Sequence, residues 1–269
     1  MLRSVFGKTL FDYRRSMMWW MLGFIVLAIY MIAFFPSLRD NKAMQDLANA
    51  KLDLMKALIG NVNIGTPIGF LTGSLFSLTL PMVLLFFTIG AGANAISGEE
   101  SRKTMDLLLA HPIPRWRVVL EKFGAMVFLT ALLGFVMWIA FVVGAPRVKL
   151  FVDGLTMGTL AAGIFSISLM CLLYGTLALA IGAATGSKGM ALGITSAVAV
   201  VNYLIKSMAH NVSSLNTAQK AMPMYYAMSD DYNPLASGLS FGYAALLVVG
   251  IVILLGVALV TFERRDVAV

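Results

Sequence analysis

The sequence predicts an all-α protein that crosses a membrane six times. Of its 269 residues, 59% are hydrophobic and 12% are charged, whereas a soluble domain is nearer half apolar and a quarter charged. A spanning helix needs about 20 mostly apolar residues. Six segments meet that requirement: 17–35, 68–96, 118–144, 155–184, 189–209 and 240–262. No segment alternates polar and apolar residues as a membrane β-barrel strand does. Pro81 predicts a kink in the second span.

The first sixteen residues predict an interfacial helix, or elbow, that lies along the membrane surface before the first span. Apolar side chains recur at helical spacing over residues 2–13, and basic side chains occupy the rest of the helix, which is typical of helices in the headgroup plane. The basic residues of the elbow are Arg3, Lys8, Arg14 and Arg15. Two interpretations stay open: a simple anchor, or an element that transmits motion to the first span. We expect no cleavable signal peptide, because the first span lacks a small-residue cleavage site.

Two long loops, 36–67 and 210–239, are predicted on the outer side of the membrane. The first repeats apolar residues at helical spacing and predicts a surface helix that ends at a glycine. The second is rich in Met and Tyr and predicts short helices that dip into the outer leaflet. Tyrosine side chains are enriched at the membrane–water interface. The residues of this loop expected to anchor it there are Tyr225, Tyr226 and Tyr232.

The distribution of Lys and Arg predicts that both chain termini are cytoplasmic. Six spans place the termini on one side together with loops 94–122 and 184–189, and this side carries 12 of the 20 Lys and Arg residues. The opposite side carries the other 8 in longer loops, and cytoplasmic loops are the ones enriched in these residues. We expect a multi-pass protein of the cell (plasma) membrane. The net charge of +7 favours contact with anionic lipid over nucleic acid.

Residues 94–122 concentrate charge between two apolar segments. They hold nine of the charged side chains, in a chain that has few. The stretch from Ser101 predicts a short helix, with Glu99 and Glu100 near its N-terminal end, where negative charge is favourable. Two prolines then end the helix, because the residue before a proline is disfavoured in helical geometry. The interval 111–115 is predicted to form an exposed, proline-bounded knob before Trp116 anchors the third span at the interface.

The residue pattern does not predict a catalytic, cofactor-binding or metal-binding site on this chain. A phosphate-binding loop would need a glycine at position 2, where the sequence has Leu2. His111 and His210 fall on opposite sides of the membrane in the predicted topology, and Cys and carboxylates do not cluster at ligand spacing. Cys171 is expected to be a packed apolar thiol.

The spans are nearly free of ionisable side chains, which bears on how the protein is driven. Glu121, Lys122 and Lys206 lie close enough to span ends to extend to the membrane surface. A proton- or sodium-coupled transporter is expected to carry carboxylates within its spans. The sequence therefore predicts that energy enters through a partner protein.

The charged segment SGEESRKTMDLLLAHPIPRWRVVLEK resembles the loop between spans two and three of type-2 ABC exporter permeases. In that family the pattern is roughly an acidic residue, Gly-Thr-Leu-Asp/Glu-x-Leu-Leu, then Pro-x-Ser-Arg and Lys. The matching residues are Glu99, Glu100, Thr104, Asp106, Leu108, Leu109, Pro112, Arg115 and Lys122. Lys103 stands where Gly is usual, and Pro114 stands where Ser is usual.

The resemblance implies a cytoplasmic coupling helix within 97–117 that docks into a groove on a separate ATPase subunit. It also implies two permeases and two ATPases in one transporter, with ATP and Mg held by the ATPases. The residues expected to couple to the ATPase are Glu99, Glu100, Arg102, Thr104, Asp106, Leu108, Leu109, His111, Pro112, Ile113, Pro114, Arg115 and Arg117.

We therefore expect residues 1–269 to form a single permease domain of an ABC exporter, not itself an enzyme. The substrate pathway would lie between two permease copies, identical or homologous, in contact with membrane lipids. Spans without charge favour a lipophilic or amphipathic cargo such as a drug, an antibiotic or a lipid-like molecule. One alternative is a non-transporting membrane scaffold that docks a cytosolic partner through the same loop. A secondary transporter is disfavoured by the missing carboxylates.

Overall fold

A computed structural model describes residues 4–39, 66–101, 114–151, 154–209, 215–229 and 231–265. The long helices in these ranges are α1 (Val5–Arg39), α3 (Thr79–Ala95), α5 (Arg115–Gly144), α6 (Met157–Thr185), α7 (Lys188–Ala209) and α11 (Phe241–Arg264). The short helices are α2 (Pro67–Leu71), α4 (Ser97–Ser101), α8 (Leu215–Gln219), α9 (Pro223–Ala227) and α10 (Pro234–Ser237). The predicted surface helix within 36–67 falls mostly outside the described residues.

Six helical segments are long and apolar enough to cross a membrane, and no strand occurs in the described ranges. Their bounds are Val5–Ser37, Pro67–Ala95, Arg115–Val148, Met157–Thr185, Lys188–Ala209 and Phe241–Arg264. The prediction of an all-α membrane protein with six spanning helices is therefore confirmed. Both α1 and α5 begin, and α11 ends, at the same end of the bundle, which we call the terminal end.

The N-terminal residues differ from the expected elbow. The sequence predicts a separate interfacial helix over residues 1–16, followed by a turn. In the structure, α1 runs without interruption from Val5 to Arg39. The physical reason is local: no glycine or proline lies between Gly7 and Gly23, so nothing in the sequence breaks the helix where the first span begins.

The second span is interrupted before Pro81. The π-helix Thr72–Phe76 follows α2, and the regular helix resumes only at Thr79. Proline has no N–H to donate to the carbonyl four residues earlier, and its ring clashes with that carbonyl. The interruption before Pro81 corresponds to the kink that the sequence predicts. Ser77 and Thr79 donate their hydroxyls to the carbonyls of Thr72 and Ser74, at 2.6 and 2.9 Å, and so satisfy backbone groups in the interrupted stretch.

The central helix of the bundle is α6. Most of its side chains are buried, and α3, α5, α7 and α11 all pack against it, whereas α1 packs mainly on α5. The backbones of α3 and α6 cross closely at Gly92 and Gly175, where a Cβ built on Gly92 would overlap the Gly175 carbonyl oxygen. Glycine is required at this crossing because any side chain would separate the helices.

At the opposite end of the bundle, the short helix α9 packs on α6 and α11, and α10 packs on α6. The ring of Tyr243 lies 5.0 to 6.2 Å from the rings of Tyr225, Tyr226 and Tyr232. Tyr225 donates its hydroxyl to Asp231 at 2.9 Å, and burial together with this carboxylate raises the pKa of Tyr225 to about 12. Tyr225 and Tyr232 are buried in this cluster, so they are internal packing residues and not the exposed interface anchors that their pattern predicts.

Candidate functional site

The part of the charged segment that is expected to couple, residues 97–117, begins in α4 and ends in the first turn of α5, both at the terminal end of the bundle. Glu99 and Glu100 lie in the first turn of α4, and Pro114 precedes α5 as its N-cap. The intervening residues 102–113 are outside the described ranges. Among the predicted site residues, those outside are Arg3, Arg102, Thr104, Asp106, Leu108, Leu109, His111, Pro112 and Ile113.

Glu99 forms a buried ion pair with Lys122. The Lys122 ammonium donates to Glu99 Oε1 at 2.7 Å, and the two side chains are only 6% and 12% exposed. Lys8 of α1 lies 3.6 Å from the same oxygen. Lys122 does not extend to the membrane surface as expected, because Glu99 of α4 supplies a carboxylate within 2.7 Å and the Lys122 side chain is buried. A buried charge is tolerated only when it is paired in this way.

Glu100 is held by Arg265, which follows α11. One Arg265 nitrogen donates to both Glu100 oxygens at 2.7 and 2.6 Å. The other donates to the Ala183 carbonyl at 3.0 Å, in the last turn of α6. Gly186 ends α6 in the left-handed region with φ of +66°, and a side chain at this position would overlap both Arg265 and Glu100. The sequence alone does not single out Arg265, because it is one of two arginines that follow the predicted last span.

Arg115 points into the bundle. Its guanidinium donates to the main-chain carbonyls of Phe262 and Arg265, at 3.3 and 2.6 Å, and lies over the Phe262 ring. A positive charge is favourable at the C-terminal end of a helix, where carbonyls lack intrahelical partners. The knob expected at 111–115 therefore does not present Arg115 outward. Pro114, by contrast, is exposed.

Glu121 connects α5 to the beginning of α1. It accepts from the Phe6 N–H at 2.9 Å and from Arg117 at 2.7 Å. The first N–H groups of a helix have no intrahelical acceptor, so Glu121 caps α1 and does not extend to the membrane surface as expected. Arg14 and Arg15 are exposed, and Arg14 stacks on the Phe11 ring at 3.4 Å.

These contacts form one polar cluster at the terminal end of the bundle. Its members are Lys8, Glu99, Glu100, Arg115, Arg117, Glu121, Lys122 and Arg265. The cluster joins α1, α4, α5, α6 and α11. Its carboxylates are paired with cations, an arrangement suited to holding helices together. Within the described ranges no group of three or more His, Cys, Asp and Glu could hold a metal ion.

A second feature is a cavity of about 300 Å³ between α3, α6 and α7. Its walls are mostly apolar, and Met224 of α9 is part of the lining. The Tyr203 hydroxyl on this wall is buried and has no hydrogen-bond partner among the described residues. Nearby, Asn202 donates to the Tyr174 hydroxyl at 2.7 Å. Among the described residues, the cavity lining has no charged side chain and carries a few hydroxyl groups.

Residues 3–267 match a family model described as ABC-2 family transporter protein. No curated protein matches the chain.

Proposed function

The chain belongs to the ABC-2 family of transporter proteins, and from this premise we propose that it is the permease subunit of an ATP-driven exporter. In this proposal two permease copies, identical or homologous, enclose the substrate pathway. Each copy binds a separate ATPase subunit, which holds ATP and Mg, through residues 97–117. Both chain termini are cytoplasmic in the cell membrane, as the excess of Lys and Arg on their side favours.

The observation that carries the proposal is the attachment of the charged segment at both of its ends. Where it begins, Glu99 is ion-paired to Lys122 of α5, and Glu100 is ion-paired to Arg265. Where it ends, Arg115 is hydrogen-bonded to the last turn of α11. A partner that displaced this segment would therefore act on several spans at once.

The direct experiment is purification of this chain from a membrane of its own cell. A soluble P-loop ATPase should copurify in equal numbers, and its ATP hydrolysis should respond to the presence of the chain. Ile113→Asp should lower both the amount of complex and this stimulation at least about tenfold, because an acidic side chain in an apolar contact is costly to desolvate. The control is Leu58→Asp, the same kind of change in the predicted outer loop 36–67.

Two results would contradict the proposal. If no ATPase accompanies the wild-type chain, the permease assignment is wrong. If Ile113→Asp and Leu58→Asp behave alike, the coupling role of residues 97–117 is wrong. The alternative function, a non-transporting scaffold that docks a cytosolic protein through this segment, predicts a copurifying partner whose binding is independent of nucleotide.

The cavity supports a lipophilic or amphipathic cargo. Its lining is uncharged, so an ion would lose its hydration there without compensation. A volume of about 300 Å³ is at the lower end for ligand pockets. This fits part of a drug, an antibiotic or a lipid-like molecule.

A further inference from the structure

We propose that Arg265 is the positioning residue through which movement of the charged segment reaches the central span α6 and the last span α11. This inference rests on the proposed function, because it concerns how the ATPase acts on the spans. Arg265 lies beyond the segment that resembles the coupling loop.

The covalent chain explains only part of the transmission. Residues 97–117 continue directly from α3 and lead directly into α5, so these two spans must follow the segment. Neither α6 nor α11 adjoins the segment along the chain: α6 begins at Met157, after α5 has ended, and α11 begins at Phe241. Movement reaches these helices through non-covalent contacts, which include the packing of α3 and α5 on α6 and the contacts made by Arg265.

Arg265 has the geometry that such a connection needs. Its guanidinium is 22% exposed and bridges the Glu100 carboxylate to the Ala183 carbonyl. Its own carbonyl accepts from Arg115 at 2.6 Å. A planar guanidinium binds several acceptors in fixed directions, whereas a lysine ammonium acts as a point charge. One residue thus connects α4, α5, α6 and α11 with defined geometry.

The neighbouring Arg264 provides a matched control. It has the same side chain and lies one position earlier, but it is exposed. A variant at 264 removes the same charge from the same end of the bundle without breaking the contacts to Glu100 and Ala183. General electrostatic effects at the membrane surface will therefore appear in the variants at both positions. Loss of the connection between Glu100 and Ala183 will appear only in the variant at 265.

The experiment measures amide hydrogen exchange in the complex of full-length chain and copurified ATPase, without nucleotide and after trapping with ADP and vanadate. In the wild type, trapping should change exchange in residues 97–101 and also in the ends of α6 and α11. In Arg265→Gln the change in exchange on trapping should persist in residues 97–101. At the ends of α6 and α11 this change should be smaller by about fivefold or more. The rate of ATP hydrolysis should stay within about twofold of the wild type. A purely structural role would instead alter exchange at these ends equally in both nucleotide states.

Further variants fix the interpretation. Arg264→Gln should behave as the wild type, and Arg265→Lys should restore part of the response, because it keeps the charge but not the bridge. If Arg265→Gln does not fold, Arg265→Lys supplies the test and should show a smaller nucleotide response at the two helix ends than the wild type. A full nucleotide response at α6 and α11 in Arg265→Gln, or in Arg265→Lys where the glutamine variant does not fold, overturns the inference while the permease assignment stands. A wild-type chain with no ATPase overturns both.

Discussion

At the scale of single residues, Lys122 illustrates how a charge can be kept within an apolar bundle. Its ammonium is buried, and it is neutralised by Glu99 at 2.7 Å with Lys8 beside the same carboxylate. The pattern predicts a side chain that reaches the membrane surface, since position 122 is near the start of a span. Sequence spacing along α5 contains no information about where α4 folds, and α4 supplies the partner.

Breaking this pair is expected to be costly. Lys122→Met leaves the Glu99 carboxylate buried with only the more distant Lys8, and loss of one partner of a buried pair typically costs about 3 kcal/mol or more. Unfolding of the purified chain in detergent should therefore occur at a clearly lower temperature. Arg117→Gln, which breaks the more exposed pair with Glu121, should cost less than about 1 kcal/mol. Equal losses in the two variants would show that Lys122 is not held as the structure indicates.

At the scale of helices, the crossing of α3 and α6 decides the shape of the bundle's centre. Many glycines in the sequence recur at four-residue spacing, including 65, 69 and 73, and spacing alone makes each of them a candidate packing site. The structure places the close crossing at Gly92 and Gly175, which are not part of that pattern. A contact between two helices depends on both partners, and one helix's periodicity describes only one of them.

A pair of alanine substitutions tests this crossing. Gly92→Ala puts a methyl group into the backbone of α6 and should destabilise the fold by about 2 kcal/mol, the cost typical of overpacking. Gly90→Ala, two residues earlier on the same helix, meets no atom within 4 Å and should be tolerated. Thermal unfolding of both variants in detergent gives the comparison. If Gly90→Ala is the more damaging change, the packing of α3 on α6 is not as described.

At the scale of the whole molecule, the cavity and the polar cluster lie in different parts of the same bundle. The cluster lies at the terminal end, where α1 and α5 begin and α11 ends, whereas the cavity is lined by residues of α3, α6 and α7 and by Met224 of α9. Both α3 and α7 pack on the central helix α6. A change at the terminal end is thus connected to the cavity wall through one shared helix.

Filling the cavity should block binding of a lipophilic molecule. Ala199→Trp introduces a large ring into the wall formed by α7, and should lower photolabelling by an uncharged long-chain alcohol bearing a diazirine about fivefold or more. Val257→Trp on the exposed face of α11 adds the same ring outside the cavity and should leave the labelling unchanged. Mass spectrometry of the labelled peptides measures both. Equal labelling in the two variants would contradict binding in the cavity.

The sequence by itself determined the class of the protein and the number of its spans. Hydrophobic segments of sufficient length have few alternatives to spanning helices, because the bilayer cannot satisfy exposed backbone groups. It also located the charged segment and its resemblance to a transporter family, and the family match confirms the membership.

Only the tertiary structure decided what the charges at the terminal end contact. It joined Glu100 to Arg265, 165 residues later, turned Arg115 onto the end of α11, and made the elbow part of one continuous helix. It also placed the cavity between helices that are far apart in the chain. The physical reason is that spanning is a property of each segment alone, whereas ion pairs, helix crossings and cavities depend on distances between segments, which exist only once the bundle is packed.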